Sequence, residues 1–447
     1  MTAYLVQIDG YDPVADVDIV LRASSHDDDR ICHLNDATWW PAIAQLPKLA
    51  MDNFDGSTGD QLKAPSASLR LMTEAWPAFG RYALADARIR IWSGLPGAVW
   101  AAWTLRADAR ITKQPRFSLG AANIAFAPDE AWLDAPLLST YAGTGGAEGP
   151  EAFKGIVKPL MLGAPRYAGG VMVDPTNNVF QLSAYGPIEG VEVALDGLSR
   201  FGGSTGNYPS YEALIAATIP AGQWATALDV GMTRHGAPPY DQISYLARGD
   251  KAGPDGWARL PGDIIRRIAL LSGGDGRIDN ASLDILNIAR PWDISIDVTE
   301  QATARDLIRR IASSVNATAG VSWLGKLYVV PLVIASPSME LRADGTALPP
   351  VAAVEQVEIE APAWRLATQA ERTWLVHAPS EVQYVAPAAP GATNSADPNS
   401  PIGNAGMTIG QFLALQAQAQ SDIAALEATT AGLESDAAAL ESRIYLA

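Results

Sequence analysis

Cysteine is almost absent: Cys32 is the single one in 447 residues. An intrachain disulfide framework is therefore excluded. Histidine is nearly as scarce, limited to His26, His33, His235 and His377. Charged residues make up 18% of the chain, below the usual quarter. Basic residues are the poorer share, with 32 Lys and Arg against 49 Asp and Glu, a net charge of −17. A field of that sign repels phosphate, so sequence-specific nucleic-acid binding is not expected. No apolar run reaches the roughly 18 residues of a membrane-spanning helix. The opening Met1-Thr-Ala-Tyr-Leu-Val-Gln7 has neither the basic region nor the apolar run of a signal peptide. The expectation is a soluble chain made in a cytoplasm. Enzyme motifs are missing too: there is no Gly-x-x-x-x-Gly-Lys-Ser/Thr phosphate loop and no His-Glu-x-x-His zinc helix.

What is present is apolar. Hydrophobic residues are 48% of the chain, enough for a sizeable core and too many for wholesale disorder. The length suggests about two to four domains. Residues 1–150 read as an N-terminal β-rich domain. Arg88-Ile-Arg-Ile-Trp92 alternates Ile89 and Ile91 with Arg88 and Arg90, the period of a half-buried strand. Val17–Leu21, Val99–Arg106 and Arg110–Phe117 read as further strands. Thr140–Pro150, rich in glycine, reads as a flexible boundary. Residues 151–260 read as a second β-rich domain, with Asp196-Gly197 as a hairpin turn and a short helix from Tyr211.

Residues 261–350 change character. Asp263 is an N-cap candidate for a helix ending at Gly273-Gly274. Asn280 or Ser282 can cap a second helix, Thr303–Val315 forms a third, and Gly320–Val330 reads as a hairpin. Residues 351–386 return to strand alternation, and 387–406 have linker composition. The fold class expected is α+β, predominantly β, with a small helical insertion and a C-terminal helix over 407–447.

That last segment carries a heptad repeat. Ile409, Ile423 and Ile444 occupy a positions, and Phe412, Leu426, Leu433 and Leu440 occupy d positions. Such a seam buries a stripe against a partner helix. The alternative is an amphipathic helix folded back on its own body. Gln416, Ala419, Thr430 and Ala437 interrupt the Ile and Leu layers, which leaves the number of strands open.

Chemistry-bearing candidates are few. Gly202-Gly-Ser-Thr-Gly206 matches a nucleophile-elbow string, but Asn207-Tyr-Pro209 follows where a helix is required. His26, Cys32 and His33 with Asp27–Asp29 offer metal ligands, without the spacing of a zinc site. Asp52–Asp60 and Gly274–Asn280 have calcium-loop composition but lack the terminal bidentate Glu. Turn formation accounts for both. The 13 tryptophans, among them Trp39-Trp40, have faces that can stack on sugars, but core packing and subunit contact are the uses expected of them. No catalytic, cofactor or metal residue is assigned, and no cofactor is expected.

A resemblance adds to this. Lys154-Gly-Ile-Val-Lys-Pro-Leu-Met-Leu-Gly163, Val171-Met-Val-Asp-Pro175, Phe180-Gln-Leu182 and Gly186-Pro-Ile-Glu-Gly-Val191 form an ordered series. Tyr211-Glu-Ala-Leu-Ile215, Gly222-Gln-Trp-Ala-Thr226, Asp263-Ile-Ile-Arg-Arg267 and Trp364–Val376 follow. The series resembles tail-tip, or baseplate hub, proteins of bacteriophages and prophages over about residues 1–386. Ser183-Ala184-Tyr185 departs from the Val-His-Asp usual there, and Gln369–Trp374 departs from the usual later strand pair. The resemblance implies a non-enzymatic virion protein at the distal tail, built of several β-rich domains and assembled as a homotrimer. It implies contacts with the distal tail ring, the tail tube, the tape-measure protein and a central spike or fibre. Two other classes stay open: a receptor-binding fibre that grips a host glycan, and a cell-wall-degrading tail enzyme.

Overall fold

A computed structural model of the chain describes residues 2–332 apart from 52–61, 63, 119, 254 and 255, together with 401–402 and 407–408. Contacts divide the chain into two units, Met1–Gln383 and Tyr384–Ala447. The described part is mostly β with few helices.

Period-two alternation builds the first sheet. Its eight strands are antiparallel, in the order Val17–Ser24, Ala3–Asp12, Ala83–Gly94, Thr104–Ile111, Ala121–Pro128, Ala67–Met72 and Ile43–Gln45, with Arg116–Ser118 also on Ala121–Pro128. One face buries Ile8, Leu69, Ile89, Ile91, Ile124 and Phe126. Arg88 and Arg90 point the other way and pair with Asp108 and Asp9. The expected strands Val99–Arg106 and Arg110–Phe117 are corrected. Trp100–Ala102 is a 3-10 turn, and one strand runs through Thr104–Ile111. Ala107 and Ala109 are the buried members of an unbroken alternation, and their small side chains disguised it.

Two smaller sheets share the next core. One has four strands, in the order Ala168–Gly169, Ile243–Asp250, Ile188–Asp196 and Ser199–Arg200. The other has five, in the order Val171–Asp174, Val179–Gln181, Met232–His235, Trp224–Ala227 and Ser204–Asn207. Ile188, Ile243 and Tyr245 of the first pack with Phe180 and Trp224 of the second. The five-stranded sheet buries Val173, Val179, Ala225 and Met232 in a further cluster with Leu214 and Tyr141. Gly197 and Leu198 have φ of +52° and +68°, as the expected Asp196-Gly197 hairpin needs.

Thr140–Pro150 is not a flexible boundary. Tyr141 is buried and its hydroxyl donates to Gln181 Oε1 at 2.8 Å. Positive φ at Gly143, Gly145, Gly146 and Gly149 winds the segment tightly, and the Glu148 carboxylate accepts from the Ala142 amide and Lys158. These glycines serve tight turns, which composition alone does not separate from slack.

The third core joins segments far apart in sequence. Leu133, Leu160 and Leu162 pack with the helices Pro261–Leu271, Asn280–Ala289 and Ala304–Ser314 and with the hairpin Ala317–Val321 to Leu327–Pro331. Leu160–Leu162 pairs directly with Ile296–Val298. The first helix begins at Pro261 rather than after Asp263, because Pro fits the first helical turn, where its missing N–H costs nothing. Asp263 is buried instead and accepts from Arg266 and Asn287. The N-cap of the second helix is Asp279, one residue before the expected Asn280. Thr303 caps the third by accepting from the Asp306 amide.

In the second unit, Pro401–Ile402 pairs with Met407–Thr408. A strand pair therefore lies across the expected join of linker and helix. The heptad residues from Ile409 onward and the expected strands of 351–386 lie outside the described residues. Among the described residues no helix is long and apolar enough to cross a membrane.

Trp323 links the first sheet to the terminal hairpin. It sits 5.6 Å from the Phe126 ring, its indole N–H donates to the Ala50 carbonyl at 3.2 Å, and its carbonyl accepts from the Asp108 amide. Trp323→Ala is expected to cost about 3–5 kcal/mol, read as a lowered urea midpoint in equilibrium unfolding.

Candidate functional site

The sequence candidates for chemistry separate in space. Ser204 lies exposed on the Ser204–Asn207 strand, and its hydroxyl accepts from the Gly206 amide. His235 is buried elsewhere, with Nε2 2.8 Å from the Tyr245 hydroxyl. Asp29–Cys32 is a single helical turn capped by Asp28, and Ile31, not Cys32, enters the core. The Asp28 carboxyl accepts from the Arg30 side chain and amide, which hold it down at about 2. His26 Nδ1 lies 2.7 Å from Ser25 Oγ. Among the described residues no three His, Cys, Asp or Glu side chains converge as metal ligands. Gly274 abuts the Trp132 ring and Arg277 closes a turn onto its carbonyl, so this stretch is a turn. Asp52–Asp60 and the seam residues Ile409, Phe412, Ile423, Leu426, Leu433, Leu440 and Ile444 lie outside the described residues.

Three of the tryptophans pack ring against ring. Trp39 meets Trp92 edge-on at 6.1 Å and Trp100 in a stack at 6.2 Å. Trp103 joins the same cluster. Core packing uses these ring faces.

The blocks that carry the family resemblance meet in a buried polar scaffold. Asp174 Oδ2 accepts from the Tyr211 hydroxyl and Asn177 Nδ2, both at 2.6 Å, while Oδ1 accepts from the Thr176 and Asn177 amides. Burial works against ionisation of Asp174, yet these donors hold its carboxyl below the usual value. Arg234 donates to the carbonyls of Leu214, Ile215 and Ala217 at 2.7–2.8 Å, closing the end of the Tyr211–Ala216 helix. Arg267 donates to Asp250 Oδ2 at 2.8 Å and to the Tyr185 carbonyl. Gly163 has φ +70°, and a Cβ there would lie 2.0 Å from the Ile294 carbonyl. These residues fix backbone paths rather than present a reactive group.

Two buried titratable groups were not singled out by sequence. His235 sits among Phe180, Phe201 and Tyr245 with Nδ1 buried and unpartnered among the described residues. Burial pushes its imidazole down to about 4. Asp297 lies in the Ile296–Val298 strand with Oδ1 buried and likewise unpartnered. Burial pushes its carboxyl up to about 7, against the Gly169 N–H. An Asp between Ile296 and Val298 was the available signal.

Two open clefts have polar linings. One, of about 310 Å³, has Arg88, Asp108, Arg110, Asp129 and Arg277 around the Leu324-Gly325 turn. The other, of about 400 Å³, lies between Ala164–Tyr167 and Leu246–Arg248, with Glu192 3.0 Å from Arg248 Nε.

No protein-family model matches the chain, and no curated protein matches it significantly. Among solved structures it is similar to a chain of the "Virion of native gene transfer agent (GTA) particle", at 15% identity and a TM-score of 0.21, over 56% of this chain and 80% of that one. A superposition that loose fixes no role.

The two buried groups predict opposed pH slopes. Between about 4 and 6.5 the unfolded chain binds more protons at His235 than the folded chain, so acidification destabilises. Between 3.8 and about 7 the folded chain binds more protons at Asp297, so acidification stabilises. Asp297→Asn removes the second effect alone. Relative to the unsubstituted chain, its stability is expected to fall by about 3 kcal/mol more between pH 7 and 4.5, measured by chemical denaturation at each pH.

Proposed function

We propose that the chain is a structural virion protein of the phage tail-tip, or baseplate hub, type, which assembles rather than catalyses. The observation that carries this reading is the ordered series of resemblance blocks from Lys154 to Arg267. Their residues are the ones the fold needs for its backbone: the Asp174 turn, the Arg267–Asp250 pair and the Gly163 close approach. A shared scaffold is what such a series would preserve.

On this reading three copies surround the tail axis and join the tail tube and distal tail ring to a central spike or fibre. The tape-measure protein is a further neighbour. The heptad seam that follows Thr408 ties the copies through Ile409, Phe412, Ile423, Leu426, Leu433, Leu440 and Ile444. Burial of a/d layers supplies the association energy. The acidic balance of −17 would lower adhesion to passing DNA.

Light scattering of the full chain is expected to give three times its 47.2 kDa mass. Ile423→Asp with Leu426→Asp should return it to one chain mass while the β-type circular dichroism is kept. A monomer for the unsubstituted chain at assembly concentrations would count against the hub reading.

A further inference from the structure

The smaller cleft holds an arrangement that strand pairing alone disfavours. Arg88 and Arg110 lie directly opposite one another on the neighbouring strands Ala83–Gly94 and Thr104–Ile111. Like charges so placed repel. Arg277 reaches the same cleft from the loop before the Asn280–Ala289 helix. Three guanidiniums thus meet in a chain whose net charge is −17.

Their acceptors are unevenly shared. Arg88 is satisfied: its Nε and Nη2 donate to the two oxygens of Asp108 at 2.7 and 2.5 Å. Arg110 and Arg277 are not. They share one oxygen, Asp129 Oδ2, at 3.4 Å from Arg110 Nε and 3.3 Å from Arg277 Nη1. Both contacts exceed the roughly 2.7–2.9 Å of a charge-assisted hydrogen bond. Arg110 Nη1 also donates to the Asp86 carbonyl at 2.9 Å, with the exposed Asp86 carboxylate at 3.4 Å. Each guanidinium carries about five N–H donors, so most of those on Arg110 and Arg277 find no acceptor among the described residues.

Both side chains are open to solute, with 43% and 41% of their area exposed. Their backbones are fixed. Arg110 pairs with Arg88 on one side and Ala127 on the other. The Arg277 amide donates to the Gly274 carbonyl, and its carbonyl accepts from the Leu327 amide. The Leu324-Gly325 turn completes the lining. Fixed backbones that carry unsaturated planar forks are the elements of an oxyanion site, since a guanidinium matches carboxylate and phosphate edge-on.

We propose that this cleft binds an oxyanion on the unsatisfied N–H edges of Arg110 and Arg277, beside the Asp129 carboxylate they share, with the Arg88–Asp108 pair as a charge-balanced wall. Two sources share that chemistry: free phosphate, and a carboxylate borne by another polypeptide. The proposal does not depend on the tail-tip reading.

Calorimetric titration of the full chain separates the alternatives. The probes are potassium phosphate and an acetylated tetraglutamate peptide, each against potassium chloride of equal ionic strength. Saturable binding of either probe is expected, and the probe that binds identifies the source. Arg110→Gln and Arg277→Gln are each expected to weaken it about tenfold or more, because a hydrogen bond to a charged group is lost. Arg277→Lys keeps the charge and loses the fork, and should weaken binding while leaving the chloride-state melting temperature unchanged. That variant keeps the test valid if a glutamine variant fails to fold. No saturable binding of either probe, or equal binding by Arg277→Lys and the unsubstituted chain, would overturn the site.

Discussion

Non-local burial is the constraint on which the described fold depends. Leu160–Leu162 has no neighbour strand nearby in sequence and completes itself against Ile296–Val298. Leu133, on the exit from the first sheet, is buried among helices that begin at Pro261. Trp323 returns from the hairpin of Ala317–Val321 and Leu327–Pro331 to the core of that first sheet. Each closure carries a loop-entropy cost that grows slowly with the length spanned, and apolar area must offset it, at roughly 25 cal/mol per Å². Leu133, Leu160, Leu162 and Trp323 contribute buried apolar area at these joins.

The same constraint explains what sequence revealed. Local rules worked where local energies decide. Ile89 and Ile91 marked the strand, the segment Thr303–Val315 marked the helix Ala304–Ser314, and Asp196-Gly197 marked the turn. They failed where a tertiary contact chose between local options. Thr140–Pro150 has linker composition, yet Tyr141 and Glu148 anchor it to Gln181, Lys158 and the Ala142 amide. Asp263 has cap chemistry but is drawn inside by Arg266 and Asn287. The arginine cleft was hidden for a similar reason. Arg88 was legible as an outward strand residue, while its opposition to Arg110 and the arrival of Arg277 depend on register and on a distant loop.

The residues that suggested a family, with Arg234 and Gly231 that pack against them, are informative about backbone more than about chemistry. Asp174 spends both oxygens on its own turn and on Tyr211. Arg234 and Arg267 spend their donors on carbonyls and on Asp250. Gly163 and Gly231 are required because carbonyls of Ile294 and Ser183 approach within 2.0 and 2.1 Å of where a Cβ would be. A motif of this kind tracks a scaffold, and scaffolds are what an assembly protein must hold constant while its outward surfaces change with its neighbours.

Against that background, satisfied and unsatisfied polar groups mean different things. Arg234 is half-buried and donates to the carbonyls of Asn177, Leu214, Ile215 and Ala217, which is the condition for partly burying a cation without large cost. Arg110 and Arg277 are half exposed and share the Asp129 Oδ2 oxygen at long range, Arg110 has the exposed Asp86 carboxylate as a second long contact, and Arg110 faces Arg88 across a strand pair. Water can solvate such groups, so their stability cost is small. A fold seeking stability alone gains nothing by gathering them, because a single outward Thr at either position would relieve the repulsion. The gathering therefore reads as a site kept for an acceptor that comes from outside the chain.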